Sequence, residues 1–215
     1  GRVQDVSTLA HDLGHAIHAM VASHHSIWTF HSALPLAETA SIFSELLLAK
    51  HQLKTASAEE KRSILMQHLD HSYAAINRQA YFVMFEKEAH KLQAEGATLD
   101  DLDRVYLKGL KEQFEPALDV PSMFKNEWLT IPHIYHVPFY CYAYAFGNLL
   151  VLSLFKMYEE QGESFIPKYL ELLACGGSKS PQEALKPLGI NIESEEFWLQ
   201  GFEVLREMLE ELKSL

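Results

Sequence analysis

Cysteine is nearly absent from these 215 residues, with only Cys141 and Cys175, set in apolar or glycine-rich stretches without C-x-x-C spacing. That scarcity argues against a disulfide framework and predicts reduced thiols in a cytoplasmic protein. Low-complexity tracts, internal repeats and dividing linkers are also missing, which speaks against disorder and solenoids and predicts one domain over residues 1–215. No run alternates apolar and polar residues for long enough to make a convincing strand, so little or no β-sheet is expected. Basic residues are outnumbered 18 to 29, and the net charge of −11 argues against general affinity for nucleic acid or anionic membranes. The first residues, Gly1-Arg2-Val3-Gln4-Asp5, have neither an initiating Met nor a signal-peptide pattern and read as a cut end. From Trp128 to Phe155 there is no Asp, Glu, Lys or Arg. Pro132, Pro138, His133, His136 and Tyr135, Tyr140, Tyr142 and Tyr144 interrupt that stretch, so it reads as a loop leading into a buried helix and not as a membrane span.

What is present is helical periodicity. The spacing predicts a mainly α fold of many helices. A first helix is expected from near Val6, capped by Asp5 or Ser7, to about Ser23, followed by a loop or short extended piece over Ser26 to Leu36. A second should run from about Pro35 to Leu53, with Ala40, Phe43, Leu47 and Leu48 facing the core. Ser57-Ala58-Glu59-Glu60 is a capping box that opens a helix over Ala58 to Glu95, with a break expected near His71. Another helix should follow Gly96 and end near Phe114. Residues 115–138, with four prolines, form an irregular segment long enough to be tied to function. Helices from Phe139 to Glu160, up to Ala174, from Pro181 to Leu188 and from Ser194 to Leu212 complete the pattern.

His11-Asp12-Leu13-Gly14-His15-Ala16-Ile17-His18 carries the chemistry. Residues four apart share a helix face, so His11 and His15 can present ring nitrogens to one metal ion. Gly14 leaves room for a substrate or a second helix, and Asp12 lies on the flank of the metal position. A catalytic zinc needs a third protein ligand. Glu38, in a small and apolar turn, is the better candidate; His18 competes, but three ligands from one helix give poor tetrahedral geometry. Glu45, two turns beyond Glu38, is placed to accept a hydrogen bond from a ligand histidine or to be an ordinary helix acid.

The octapeptide at 11–18, Ala37-Glu38-Thr39-Ala40-Ser41, Ile131-Pro132-His133, Pro138-Phe139-Tyr140-Cys141-Tyr142-Ala143-Tyr144-Ala145-Phe146-Gly147 and Gly176-Gly177-Ser178-Lys179-Ser180-Pro181 occur in this order. Together they resemble the oligoendopeptidase F branch of the M3 (thimet-type) zinc metallopeptidase family over nearly the whole chain. The resemblance implies a zincin-like helical catalytic domain, the C-terminal part of a longer architecture whose N-terminal part forms the other wall of a channel. It implies one zinc ion per chain on His11, His15 and Glu38, with the acid at position 12 as general base and short peptides as substrates. It also places oxyanion donors among His133, Tyr142 and Tyr144, with His136 and Tyr140 beside them and Gly176 and Gly177 exposing backbone to an extended peptide. Helical spacing allows at most two of Tyr140, Tyr142 and Tyr144 to reach one point, because two residues span about 200°.

One residue departs from the metallopeptidase pattern, which has Glu after the first histidine where this chain has Asp12. Loss of one methylene shortens the reach of the base while leaving the ligands untouched. Two functions therefore follow from the sequence: a zinc endopeptidase with reduced activity, or a non-catalytic homologue that binds metal and peptide or serves as a helical interaction domain.

Overall fold

The structure is a computed structural model that describes residues 3–215; Gly1 and Arg2 lie outside it. It is all-α, 77% helical, and no strand occurs among the described residues. The helices are α1 (Val3–Val21), α2 (Thr39–Leu53), α3 (Ala58–Tyr73), α4 (Gln79–Ala94), α5 (Leu99–Phe114), α6 (Pro132–His136), α7 (Tyr142–Gln161), α8 (Ile166–Ala174), α9 (Pro181–Leu185) and α10 (Glu195–Ser214). Short 3-10 turns at Leu34–Leu36, Ser122–Thr130, Gly162–Phe165 and Lys186–Leu188 join them, and a π turn at Ala74–Arg78 lies between α3 and α4.

Most boundaries follow the periodicity, and the exceptions have local causes. α1 is already helical at Val3, so neither Asp5 nor Ser7 caps it. The break expected near His71 falls at 74–78. α7 starts at Tyr142 and not at Phe139, because Phe139 takes a left-handed backbone with φ of 59° that a right-handed helix cannot include. In α2 the buried residues include Ala40, Phe43, Leu46 and Ala49, whereas Leu47 is 39% exposed and Leu48 half-buried. Leu46, Leu47 and Leu48 are equivalent to a periodicity argument, and only the neighbouring helices choose the face. The Ser57 capping box forms as the sequence requires, with the Ser57 N–H donating to Glu60 Oε2 at 2.8 Å.

The chain forms two compact units. One comprises the described residues up to 72 together with 146–215. Its core is built on Leu65, Leu150, Leu154, Phe165, Leu173 and Leu185, all nearly inaccessible to solvent. Phe43 stacks on Tyr169 at 4.4 Å between ring centres, and the Tyr169 hydroxyl donates to the Thr39 carbonyl at 3.0 Å. Both contacts lock the start of α2 against α8. α1 packs on α2 through Gly14, where an added Cβ would lie 2.5 Å from the Ala40 carbonyl oxygen and 2.6 Å from Ser41 Cα. Those are backbone atoms, so only separation of the two helices could relieve the clash. Gly14→Ala should destabilise this unit by about 1–3 kcal/mol, the usual cost of overpacking. Urea unfolding checks this, and an unchanged midpoint would show that the helices slide apart freely.

The second unit comprises residues 73–145. Phe82, Phe85, Tyr106, Leu110, Trp128, Ile131 and Cys141 form its core. The irregular segment after α5 is anchored by side chains and not by regular backbone bonding. Buried Asp103 accepts from Trp128 Nε1 at 2.9 Å and Asn126 Nδ2 at 2.7 Å, and Glu127 accepts from the Tyr106 hydroxyl at 2.9 Å while pairing with Arg78. Cys141 and Cys175 are both free and buried. Burial, with a smaller contribution from the Glu86 charge, pushes the Cys141 thiol up to about 11, which keeps it protonated and unreactive.

Candidate active site

α1 and α2 supply a three-residue constellation. The helical spacing of four brings His11 Nε2 within 3.1 Å of His15 Nε2. Close packing at Gly14 then brings the turn before α2 alongside, and Glu38 Oε2 lies 3.3 Å from each of these nitrogens. His11, His15 and Glu38 form the metal-ligand grouping found among the described residues. Atoms bound about 2.0–2.1 Å from a tetrahedral zinc ion stand roughly 3.3–3.4 Å from one another. The observed triangle, 3.1 Å by 3.3 Å by 3.3 Å, has nearly those edges.

A second layer orients the triangle. His11 Nδ1 contacts Glu45 Oε1 at 2.7 Å, and Glu45 Oε2 accepts from the Ser7 hydroxyl at 2.7 Å. An Nδ1–H directed at Glu45 leaves the Nε2 lone pair of His11 pointing into the triangle, the tautomer a metal ligand needs. Glu38 Oε2 accepts from the Ser41 hydroxyl at 2.6 Å, and Ser41 is fully buried. With His15 in the tautomer that bears its proton on Nδ1, two imidazole lone pairs and a carboxylate oxygen converge at this distance with no proton between them. A cation satisfies this arrangement. The donor set of two nitrogens and one oxygen suits zinc.

The sequence offers Ser7 as a helix cap and Ser41 as part of a motif, and neither as support for the ligands. A signal existed for each: Ser7 precedes His11 by four residues and Ser41 follows Glu38 by three, so each shares a helix face or turn with its partner.

His18 stands apart from the triangle. Burial, followed by the proximity of His15, holds its imidazole below the usual range, opposed by a hydrogen bond to the Leu173 backbone. It lines a pocket of about 360 Å³ with His15, Phe30, His31, Ser32 and Ala37. Asp12 is exposed on α1 one residue beyond His11.

Gly176 and Gly177 pack against the segment that forms one side of this pocket. A Cβ on Gly176, whose φ is +50°, would lie 2.4 Å from the Thr29 carbonyl oxygen, and one on Gly177 would lie 2.2 Å from that of His31. The Gly177 N–H donates to the Thr29 carbonyl at 2.8 Å and that of Gly176 to Leu173 at 3.4 Å. Their N–H groups are therefore committed within the unit, and the glycines act by letting residues 29–31 approach.

In the second unit, His133 Nε2 lies 3.0 Å from the Tyr144 hydroxyl. The Tyr140 ring stacks on His133 at 5.3 Å and meets Tyr144 edge-on at 5.1 Å. Tyr140 and Tyr144, four apart, share this cluster. Tyr142 projects elsewhere at 51% exposure, as the helical spacing requires. His136 is exposed at the end of α6. The backbone turn feeding the cluster is strained: a bulky residue at positive φ, here Phe139, costs roughly 1–3 kcal/mol.

The model of peptidase family M3 matches residues 2–204. The chain belongs to peptidase family M3. Among M3 relatives, it is 30% identical to an oligoendopeptidase F homolog of Borreliella burgdorferi, over 99% of this chain and 37% of that protein. It is 28% identical to oligopeptidase PepF of Bacillus subtilis, over 99% of this chain and 32% of the relative. Among solved structures it superposes on oligoendopeptidase-F from Enterococcus faecium with a TM-score of 0.85 at 26% identity, over 98% of this chain and 39% of that one. The chain thus spans about a third of the length of the M3 relatives it matches.

Proposed function

We propose that this chain carries the metal site of a zinc-dependent endopeptidase acting on short, extended peptides. The observation that carries the reading is the His11, His15 and Glu38 triangle, whose edges and donors suit zinc. A zinc ion held there supplies Lewis acidity, acidifying a water and polarising the scissile carbonyl.

The remaining work falls to the chain's own groups. Asp12 is the general base, and its carboxylate oxygen takes the proton of the attacking water and passes it on to the leaving amine. Glu45 holds His11 in the ligand tautomer, supported by Ser7. His133 and Tyr144 are the donors to the developing oxyanion, with Tyr140 holding their rings in register. The pocket lined by His18, Phe30 and His31 receives substrate, with Gly176 and Gly177 bracing its wall. His136 and Tyr142 are assigned a weaker share, in peptide contact. Membership of M3, together with oligopeptidase relatives, supports the reaction class.

A second reading rests on Asp12. A base shorter by one methylene suits a homologue that binds metal and peptide but turns over slowly. One experiment separates the two: metal analysis of the intact protein followed by cleavage of a fluorescence-quenched peptide, with and without chelator. About one zinc per chain and chelator-sensitive cleavage are expected; zinc without cleavage would establish the binder, and absence of zinc would end both readings.

A further inference from the structure

Glu86, on α4, is 1% exposed and takes no part in the chemistry just described. A carboxylate buried in apolar surroundings is costly unless its oxygens are hydrogen-bonded. Glu86 Oε1 accepts the backbone N–H of Phe139 at 2.8 Å. Phe139 is, among the described residues, the non-glycine residue at positive φ, and it immediately precedes the segment that carries Tyr140 and Tyr144. Its own ring is 44% exposed and lies tilted against His90 at 5.0 Å, so the hydrophobic core does not hold the residue in place. Its backbone amide, by contrast, donates to a buried carboxyl oxygen, a hydrogen bond that solvent is not placed to replace.

We propose that Glu86 is a positioning residue whose buried carboxylate holds Phe139 in the left-handed conformation and thereby sets Tyr140 and Tyr144 against His133. The role rests on the reading that His133 and Tyr144 stabilise the oxyanion. Glu86 acts from one helix turn on the C-terminal side of Phe82 in the core, a rigid base for a strained turn. A neutral amide at position 86 keeps an acceptor oxygen; an aliphatic side chain does not.

The test uses the intact protein and two readouts: peptide-cleavage kinetics, and the ring-nitrogen NMR signals of His133, which report its contact with Tyr144. Glu86→Leu should change the His133 signals and lower kcat by about 100-fold, the scale of a misplacement near 1 Å, with KM and zinc content nearly unchanged. Glu86→Gln should restore most of both. Adding Phe139→Gly to Glu86→Leu should also recover them, since glycine adopts positive φ without strain; this double variant serves equally if Glu86→Leu alone fails to fold. Unchanged His133 signals in Glu86→Leu, or a Gln variant as impaired as Leu, would overturn the positioning role. Altered His133 signals with unchanged kcat would support positioning and instead remove the oxyanion assignment.

Discussion

Asp12→Glu is expected to raise peptide cleavage by about 100-fold in the intact protein while leaving zinc content unchanged. The added methylene extends the carboxylate by about 1.2–1.5 Å, and proton transfer needs heavy-atom contact of about 2.6–3.2 Å. A misplacement near 1 Å commonly costs on the order of 100-fold, so restoring the reach should recover that factor in kcat. Asp12 is exposed, so the larger side chain displaces no packed neighbour. The metal is unaffected because His11, His15 and Glu38 are held by Glu45, Ser41 and the Gly14 contact. Stopped-time assays on a quenched peptide, with zinc measured in the same samples, check the result. An unchanged kcat with full zinc occupancy would remove Asp12 from the base role.

Tyr144→Phe is expected to lower kcat by about 10²–10³, the loss that follows removal of one preorganised oxyanion donor. KM should move little, because the donor strengthens its hold only as charge develops. The phenyl ring preserves the edge contact with Tyr140, which separates loss of the hydroxyl from loss of packing. Tyr142→Phe is the internal contrast. Its ring projects from another side of α7 at 51% exposure, and a small effect is expected. Measurement in the Asp12→Glu background gives enough signal to resolve both. Equal losses for the two variants would mean that the tyrosines act through packing.

Much of the fold is legible in the residues. The capping box at Ser57, the punctuation at Gly96 and the boundaries of α5, α8 and α10 all lie in local propensities. The face of α2 was not, because three consecutive leucines satisfy any choice of core side. The start of α7 is not legible for a different reason: Phe139 is at positive φ, and an aromatic residue gives no sequence signal of that conformation.

The site divides in the same way. A spacing of four makes the pairing of His11 with His15 a property of helix geometry, whereas Tyr140 precedes α7 and meets Tyr144 only through the turn at Phe139. The link to Glu45 through His11 was foreseeable as an option, since an acid two turns beyond a ligand can accept from an imidazole. Its choice over a solvated orientation required Ser7 on α1 to face it at 2.7 Å. Gly176 and Gly177 read as exposed backbone in sequence, yet their N–H groups are used by Thr29 and Leu173.

By itself, the sequence determined an all-α chain without disulfides, a paired-histidine helix and an aspartate where the metallopeptidase pattern has glutamate, because each depends only on residue type and spacing along one helix. Tertiary structure decided what spacing cannot reach across 23 residues from His15 to Glu38: the contact of Gly14 with Ala40 and Ser41 brings a carboxylate onto two imidazoles. The physical reason is steric. Only a missing side chain on α1 lets α2 come near enough for three donors to converge.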